Sequence, residues 1–423
     1  MPWGRVALNN PEKAIILAHS TNSVNGLASQ RQAGRRQVLS VIRKAGQIAR
    51  IDIADQISGS PATVTAITAE LLEEGLIEEQ RPKNPPDGSP RGRPRVALNI
   101  RGEAHMLAGV KVASHAVSVC FLDFEGKGKG VYEAEMPEPA LSAADMVIFL
   151  RKTLEEACTA NGLSLNALSG VGLGVAGIVD APRGLVYWSP TLTERNVPLR
   201  DLLSTVLPMP VFIDNDANLV AKAEQLFGEG QGVSDFIVVT IEQGVGMGIV
   251  IDNRIYRGTR GCGAEFGHTK VQLDGALCRC GQRGCLEAYV ADYALLREAG
   301  TLNLPDMELN PLEALFQAAK GGDETARSIF HRASRMFALG LANIINIFDP
   351  KLIILSGERM QFDYFYAQEV LDAVKSSVLQ IDAPLPDIRI HKWGDLMWAK
   401  GAAAYAMEGV SDISVQEMGK NAG

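Results

Sequence analysis

Apolar residues recur at helical spacing in two short segments near the start of the chain. One segment precedes Gly46 and the other follows it, and each places apolar side chains three or four residues apart, which predicts two amphipathic helices. The positions on these two helix faces are Val38, Leu39, Ile42, Ile53 and Ile57. Residues 1–30 show no sustained periodicity, so we expect a flexible, loosely ordered N-terminal extension there.

A third helix is predicted directly after a turn at Ser58 and Gly59. Ser60 suits its N-cap, because a serine hydroxyl accepts a hydrogen bond from a backbone amide, and Pro61 suits its first position. The predicted inward face consists of Val64, Ile67 and Leu71. The predicted outward face consists of small residues and threonines, namely Ala62, Thr63, Thr65, Ala66 and Thr68.

Two strands are predicted after the third helix, one from Leu76 and one over Val96 to Ile100. The segment between them is basic, with Asp87 as its single acid against the cations Arg81, Lys83, Arg91, Arg93 and Arg95. Three helices followed by such a hairpin predict a winged helix-turn-helix over 31–100, in which the third helix enters the major groove of DNA. The Arg93-Pro94-Arg95 segment would extend into the minor groove, which attracts arginine where it is narrow.

Local charge supports double-stranded DNA as a partner. Residues 31–50 carry six basic and no acidic side chains, whereas the whole chain has a formal net charge of −8. A winged helix that contacts protein remains the alternative. The predicted DNA contacts are Arg50, Ser60, Thr63, Thr65, Ala66, Arg91, Arg93 and Arg95.

From Leu107 onward, strands and helices alternate. The chain has 423 residues, 46% of them hydrophobic, which is too many for one core and predicts two or three domains. We expect an α/β body with two lobes around a cleft, and a glycine hairpin over 244–248. The predicted strands are 107–112 and 117–123 (a hairpin turning at Ser114 and His115), 171–175, 211–213, 236–241, 248–252 and 352–355, and the predicted helices are 143–160 and 324–348.

One histidine and three cysteines form the most specific motif of the chain. They fall within eighteen residues, and three thiols with an imidazole are the ligand set of a tetrahedral structural zinc site. The predicted ligands of one zinc ion per chain are His268, Cys278, Cys280 and Cys285. Cys120 and Cys158 are interpreted as buried thiols. No run of apolar residues is long enough to span a membrane, so we expect a cytoplasmic protein in a reducing compartment.

These ligands belong to a series of four motifs along the chain. The series is Gly-Val-Ala-Gly-Ile-Val-Asp ending at Asp180, Asp-Asn-Asp-Ala-Asn at 214–218, Gly-Ala-Glu-Phe-Gly-His at 263–268, and Cys-Arg-Cys-Gly-Gln-Arg-Gly-Cys-Leu-Glu at 278–287. This order resembles the ROK family of repressors, open reading frames and sugar kinases. With the winged helix in front, the resemblance covers residues 31 to 408. It implies an actin-like (ribonuclease H-like) two-lobed body over 105–408, with lobes over 105–234 and 235–408 and a C-terminal tail over 409–423.

The resemblance also implies a homodimer or homotetramer with a sugar site between the lobes. Carboxylates and amides suit a sugar, because they supply directional acceptors and donors for its hydroxyls. A metal on one nitrogen of His268 would fix its tautomer and leave the other nitrogen for ligand. The residues carried over by matching motif are Asn215, Asp216, Glu265, His268 and Glu287, with Thr191 in a segment that departs from the family's Pro-Asn-Leu.

The nucleotide positions of the kinases differ in this chain. The Asp-x-Gly-Gly-Thr motif corresponds here to a segment in which Lys111 replaces the aspartate and both glycines are lost. Glu242 stands in the second phosphate turn, where a carboxylate would repel phosphate, and the adenosine-side glycines read Ser356-Gly357-Glu358. We therefore expect a sugar-responsive transcriptional regulator, most simply a repressor, rather than an enzyme. A sugar kinase with a regulatory head and a regulator with a protein effector remain the alternatives.

Overall fold

A computed structural model describes residues 22–80, 96–300, 310–365, 367–379, 384–392 and 396–421. The chain divides into two compact units. The first unit comprises Met1–Ala104 and Val410–Gly423, and the second comprises His105–Gly409. No helix among the described residues is both long enough and apolar enough to cross a bilayer.

The first unit consists of helices on a small antiparallel sheet. Its elements are α1 (Asn22–Ala45), β1 (Ile48–Ala49), α2 (Arg50–Gln56), α3 (Pro61–Glu73), β2 (Ile77–Gln80) and β3 (Ala97–Ile100). The strands pair in the order β1-β3-β2. The predicted apolar faces are buried except at Ile57, which is half-buried, because the helices close over one core.

Local start and stop signals of α3 are confirmed. The Ser60 hydroxyl accepts a hydrogen bond from the Thr63 amide, Pro61 occupies the first turn, and Gly75 follows the helix with a positive φ of 72°. Ile57, predicted inside the second helix, instead forms the C-cap of α2. The basic segment with Arg81, Lys83, Arg91, Arg93 and Arg95 lies outside the described residues.

Two expectations about this unit are wrong. Residues 22–30, assigned to the flexible extension, belong to α1, because a helix nucleated on the buried face around Leu39 is extended at little cost per residue. Thr68, predicted to face outward, is buried. Its hydroxyl accepts a hydrogen bond from Nε of Arg50 at 3.0 Å and donates one to the Thr65 carbonyl.

Much of the basic run over 31–50 is engaged in ion pairs rather than presented to phosphate. Arg31 and Arg35 both bond the Glu70 carboxylate, and Arg50 pairs with Glu79 at 2.7 Å. Burial alone would raise the pKa of Glu70, but the two arginines hold that pKa below its ordinary value. Charge along the sequence therefore overstates the free positive charge, since the acidic partners come from other elements.

The second unit alternates strands and helices as predicted. Helices 143–160 and 324–348 have the predicted bounds. The elements are β4 (Met106–Val112), β5 (Ala116–Asp123), β6 (Gly128–Glu135), α4 (Ala143–Ala160), β7 (Gly170–Val175), β8 (Ile178–Asp180), β9 (Leu185–Trp188), α5 (Leu199–Ser204), β10 (Val211–Asn215), α6 (Asp216–Phe227), β11 (Phe236–Ile241), β12 (Val245–Ile251), β13 (Arg254–Tyr256), α7 (Glu287–Val290), α8 (Asp292–Ala299), α9 (Pro311–Lys320), α10 (Glu324–Phe348), β14 (Leu352–Ser356), α11 (Gln368–Ser377), β15 (Asp387–Ile390) and α12 (Met397–Asn421).

Two five-stranded sheets in this unit repeat one topology. The first has the order β10-β7-β4-β5-β6 and the second the order β13-β12-β11-β14-β15. In each sheet the first strand along the chain is central, pairs antiparallel with the next strand and parallel with the fourth. The short hairpin β8-β9 stands apart from both. The repeat matches the two-lobed body that the resemblance implies.

The glycine hairpin predicted over 244–248 is present, but its turn is shorter than predicted. Gly246 and Gly248 lie inside β12, and only the turn at 242–244 reverses the chain. A Cβ on Gly246 would lie 2.8 Å from the Cβ of Ala217, and one on Gly248 would lie 2.7 Å from the Cβ of Ala221. These glycines are therefore needed for the close packing of α6 on the second sheet rather than for a turn.

Glycines also bring α12 close to the first sheet. A Cβ on Gly172 would lie 1.8 Å from the Ala402 carbonyl oxygen, and one on Gly109 would lie 1.9 Å from that of Ala399. Residues 409–423 were expected to form a tail, yet α12 continues to Asn421 and its residues from Val410 onward group with the first unit.

Gly172→Ala should destabilise the second unit by about 1–3 kcal/mol, because the added methyl overlaps backbone that cannot rotate away. The free energy of unfolding in urea measures the effect. Gly128→Ala is the matched control, since no atom lies within 4 Å of the Cβ it would add. Equal stability of the two variants would contradict the close approach of α12.

Candidate functional site

The four predicted metal ligands come together in one loop region. His268 ends a short 3-10 turn over Phe266–His268, and isolated β-bridges pair Lys270 with Cys285 and Leu277 with Arg283. Gly284 has a positive φ of 76°, and a Cβ there would lie 1.8 Å from the Gln272 carbonyl oxygen. The loop can thus fold back on itself only with glycine at that position.

The geometry of this cluster fits a tetrahedral metal. The ligand atoms of His268, Cys278, Cys280 and Cys285 all lie within 4.8 Å of one another. The Sγ atoms of Cys280 and Cys285 are 3.7 Å apart, and Sγ of Cys278 lies 3.7 Å from Nδ1 of His268. A tetrahedron with zinc–sulfur bonds of about 2.3 Å has sulfur–sulfur edges of about 3.8 Å.

The surroundings of Cys278 bear on how a metal would bind. Burial raises the pKa of the Cys278 thiol to about 12, so the thiol stays protonated at neutral pH unless a coordinated dication displaces the proton. The hydroxyl of Tyr293 lies 3.6 Å from the same sulfur and can donate to it once it is a thiolate. The case for a metal therefore depends on the ligand types and their spacing.

Three predicted ligand-binding carboxylates lie beside the metal cluster. Glu287 begins α7 two residues after Cys285, and its Oε1 lies 3.6 Å from Sγ of Cys278. Burial first, and then the charges of Asp216 and Glu287, raise the pKa of Glu265 to about 7. Burial also raises the pKa of Asp216, and the nearby ammonium of Lys111 opposes that shift. The structure thus brings Asp216, Glu265 and Glu287 close enough for their charges to interact. The side chain of Glu265 still reaches solvent, and Asp216 and Glu287 are half-buried.

Asn215 and Thr191, the other two predicted sugar contacts, are already bonded to neighbouring protein groups. Asn215 is the N-cap of α6, where its Oδ1 accepts from the Ala217 amide and its Nδ2 donates to the Gly177 carbonyl at 2.6 Å. Its amide therefore shapes the site and keeps one donor hydrogen for a ligand. Thr191 is buried, with its hydroxyl 2.9 Å from that of Ser189.

A buried ion pair holds the turn that carries Asp216. Arg257, after β13, bonds the Asp214 carboxylate through Nε at 2.8 Å and Nη2 at 2.6 Å. Asp214 also accepts from the Asn218 amide, so the N-terminus of α6 is fixed from two sides. Sequence reasoning missed Arg257, because nothing in a sequence shows that a cation lies opposite a carboxylate 43 residues away.

Two of the three altered nucleotide positions meet in space. Nζ of Lys111, in β4, lies 3.8 Å from Oε2 of Glu242, in the turn after β11, and both side chains are mostly buried. The same ammonium lies 3.7 Å from the centre of the Trp398 ring. The sequence shows each replacement singly, but the ion pair between them is visible only in the structure.

The first unit presents the exposed face of α3. Thr63, Thr65 and Ala66 are exposed, as predicted for a helix that approaches a partner closely. The threonine hydroxyls also bond within the helix, at Ser60 for Thr63 and at the Pro61 carbonyl for Thr65. Arg50 differs from the expectation for a DNA contact, because its guanidinium bonds Thr68 and Glu79.

A repeated two-lobed α/β topology with a carboxylate site beside a metal-type cluster defines a body of the sugar-kinase type. A model of the ROK family matches residues 107–408, which is more than two thirds of the chain. The chain belongs to the ROK family.

Known proteins similar to this chain include regulators and a kinase. A xylose repressor from Caldicellulosiruptor bescii is 28% identical over 355 residues, covering 81% of this chain and 88% of that protein. A glucokinase from Streptomyces coelicolor is 31% identical over 264 residues, covering 59% of this chain and 80% of that protein. The crystal structure of a ROK family transcriptional regulator, homologous to the Escherichia coli MLC protein, covers 93% of this chain and 99% of its own, with a TM-score of 0.77 and 24% identity. That structure shows the fold alone.

Asp216→Asn should stabilise the protein by about 1 kcal/mol near pH 8. The folded pKa of Asp216 lies above its unfolded value, so the carboxylate costs folding free energy at neutral and alkaline pH. The gain should shrink as the pH falls through the raised folded pKa, because the folded carboxyl of the wild-type protein then takes up a proton and no longer carries a buried charge.

Urea unfolding at several pH values measures this difference. Asp201→Asn, in the exposed first turn of α5, is the control and should leave the pH dependence unchanged. A less stable Asp216→Asn protein at pH 8 would show that the carboxylate is satisfied in the folded state.

Proposed function

We propose that this protein is a sugar-responsive transcriptional regulator, most simply a repressor, that no longer phosphorylates its sugar. The observation that carries the proposal is the contrast between two parts of one cleft. The carboxylates that would bind sugar hydroxyls stand close enough together to raise the pKa of Glu265, whereas the positions that would serve a nucleotide are occupied by the ion pair of Lys111 and Glu242.

Sugar recognition would use the carboxylates and the free hydrogen of Asn215. A sugar hydroxyl can donate to Asp216, Glu265 or Glu287, and directional bonds of this kind discriminate strongly when they replace water in a buried site. Asp216 would here accept a hydrogen bond only. His268, held through Nδ1 by a metal, would present its second nitrogen in one tautomer.

The metal that suits the cluster is zinc. Zinc prefers thiolate and imidazole ligands in a closed tetrahedral site, and such a site supplies folding free energy. His268, Cys278, Cys280 and Cys285 would hold one ion per chain in a structural role. Its contribution to function would be to fix the loop from which His268 and Glu287 project.

Loss of phosphoryl transfer follows from the phosphate positions. Transfer needs a polyphosphate held by backbone amides and a metal close to the acceptor hydroxyl. Glu242 places a negative charge where that polyphosphate would lie, and Lys111 is neutralised by Glu242 rather than free to bind phosphate. Asp216 would then have no phosphoryl donor to work with.

DNA binding would belong to the first unit, which we assign as a winged helix-turn-helix. The exposed small residues of α3 would suit the major groove, and the basic sequence over 81–95, between β2 and β3, would form the wing. A homodimer or homotetramer would present two such helices at a half-site spacing, which a sugar-dependent change in the body could alter. Such a regulator acts in the cytoplasm, where its operator lies.

Calorimetry against a panel of sugars and phosphosugars tests the effector. One sugar should bind the wild-type protein, and Asp216→Asn should weaken that binding at least about tenfold even though it stabilises the fold. No heat with any sugar would favour a protein effector instead. In a coupled assay with ATP and the same sugar, turnover at ordinary kinase rates would overturn the proposed loss of activity.

Ala66→Glu should weaken DNA binding at least about tenfold, because it places a like charge on the face that meets phosphate. Fluorescence anisotropy on a duplex recovered by in vitro selection measures the affinity, and the wild-type affinity should fall steeply with salt. Ala144→Glu, on the exposed first turn of α4, is the matched control and should bind as tightly as wild type. Equal affinity of the two variants would place the DNA surface elsewhere.

A further inference from the structure

Lys270 lies against one sulfur of the metal-type cluster. Its Nζ is 2.9 Å from Sγ of Cys285, which is hydrogen-bonding distance for a sulfur acceptor. The two residues form an antiparallel β-bridge, and paired residues of such a bridge direct their side chains to the same face. The backbone pairing of the loop therefore places the Lys270 side chain on the same face as the Cys285 sulfur, within reach of its ammonium.

The charge of the loaded cluster explains why a cation is useful there. Three thiolates and a neutral imidazole around a zinc dication leave a net charge of about −1. Cys278 and Cys285 are buried, so part of that charge lies away from water. A hydrogen bond from an ammonium to one thiolate offsets it at short range.

Other cations near the loop are engaged elsewhere in the described part of the chain. Arg279 stacks on the Tyr293 ring at 4.0 Å, Arg283 donates to the Gly275 carbonyl, and Arg297 donates to the carbonyls of Leu277 and Ala288. Each of these guanidiniums supports the backbone or an aromatic ring. Lys270 differs from them, because its ammonium donates a hydrogen bond to a sulfur.

We propose that Lys270 is a positioning residue that retains the metal by neutralising the cluster through the Cys285 thiolate. This inference rests on the proposed zinc site. Lys270 does not coordinate the ion; its ammonium stabilises the thiolate form of a ligand and the negative charge of the complex. Removing the ammonium should therefore weaken zinc binding without changing the ligand set.

The test measures zinc in the full-length protein and its rate of transfer to a chromophoric chelator. Wild type should carry one zinc per chain, and Cys280→Ser, which removes a ligand, should carry none. Lys270→Met should release zinc about 10–100-fold faster than wild type, the range typical for loss of an outer-shell partner. Lys270→Arg should restore most of the retention, since it keeps a charged donor.

Lys152→Met is the matched control. It removes the same charge from the exposed face of α4, where Lys152 pairs with Glu156, and should release zinc at the wild-type rate. Zinc release from Lys270→Met at the wild-type rate would overturn the role of Lys270 and leave the zinc site intact. Wild-type protein purified without zinc would overturn the zinc site itself and, with it, the role of Lys270. Equal acceleration in Lys152→Met would show a general effect of net charge and would also overturn the proposal.

Discussion

The convergence of one imidazole and three sulfurs on a single point constrains everything around the ligand site. The loop closes only because Gly284 accepts a close approach to Gln272, and it places Glu287 at the start of α7 beside Cys278. Carboxylates gathered in this way are costly, as the raised pKa of Glu265 shows. Under the proposed function that cost has a use, because neutral groups of the same shape would accept hydrogen bonds from sugar hydroxyls less strongly.

The sequence predicted correctly those helices and strands whose hydrophobic periodicity is strong. The amphipathic helices Ala143–Ala160 and Glu324–Phe348 and the buried strand Gly170–Val175 have periodicities that leave little choice. Strand Gly128–Glu135 was missed, because it alternates exposed and half-buried side chains at a sheet edge and contains few apolar residues. The inward orientation of Thr68 was missed as well, since its partner Arg50 belongs to another helix.

In the candidate site, too, residues close together in sequence were predicted, and contacts between residues far apart in the chain were not. The ligand cluster and its neighbouring carboxylates were predictable, because metal ligands and family motifs are close together in sequence. The clamp of Arg257 on Asp214 and the pairing of Lys111 with Glu242 join residues far apart in the chain. The basic run over 31–50 misled for the related reason that distant acids such as Glu70 neutralise it.

The ion pair of Lys111 and Glu242 joins the two sheets that share one topology. Lys111 lies near the hairpin end of the first strand of one sheet, and Glu242 follows the first strand of the other. The two residues therefore stand at corresponding places in two sheets with the same strand order. If the two sheets had the same sequence, these places would carry the same charge and would repel each other. A bond between opposite charges at such places is possible only because the two halves differ in sequence there, so the repeated topology carries a site that is chemically asymmetric.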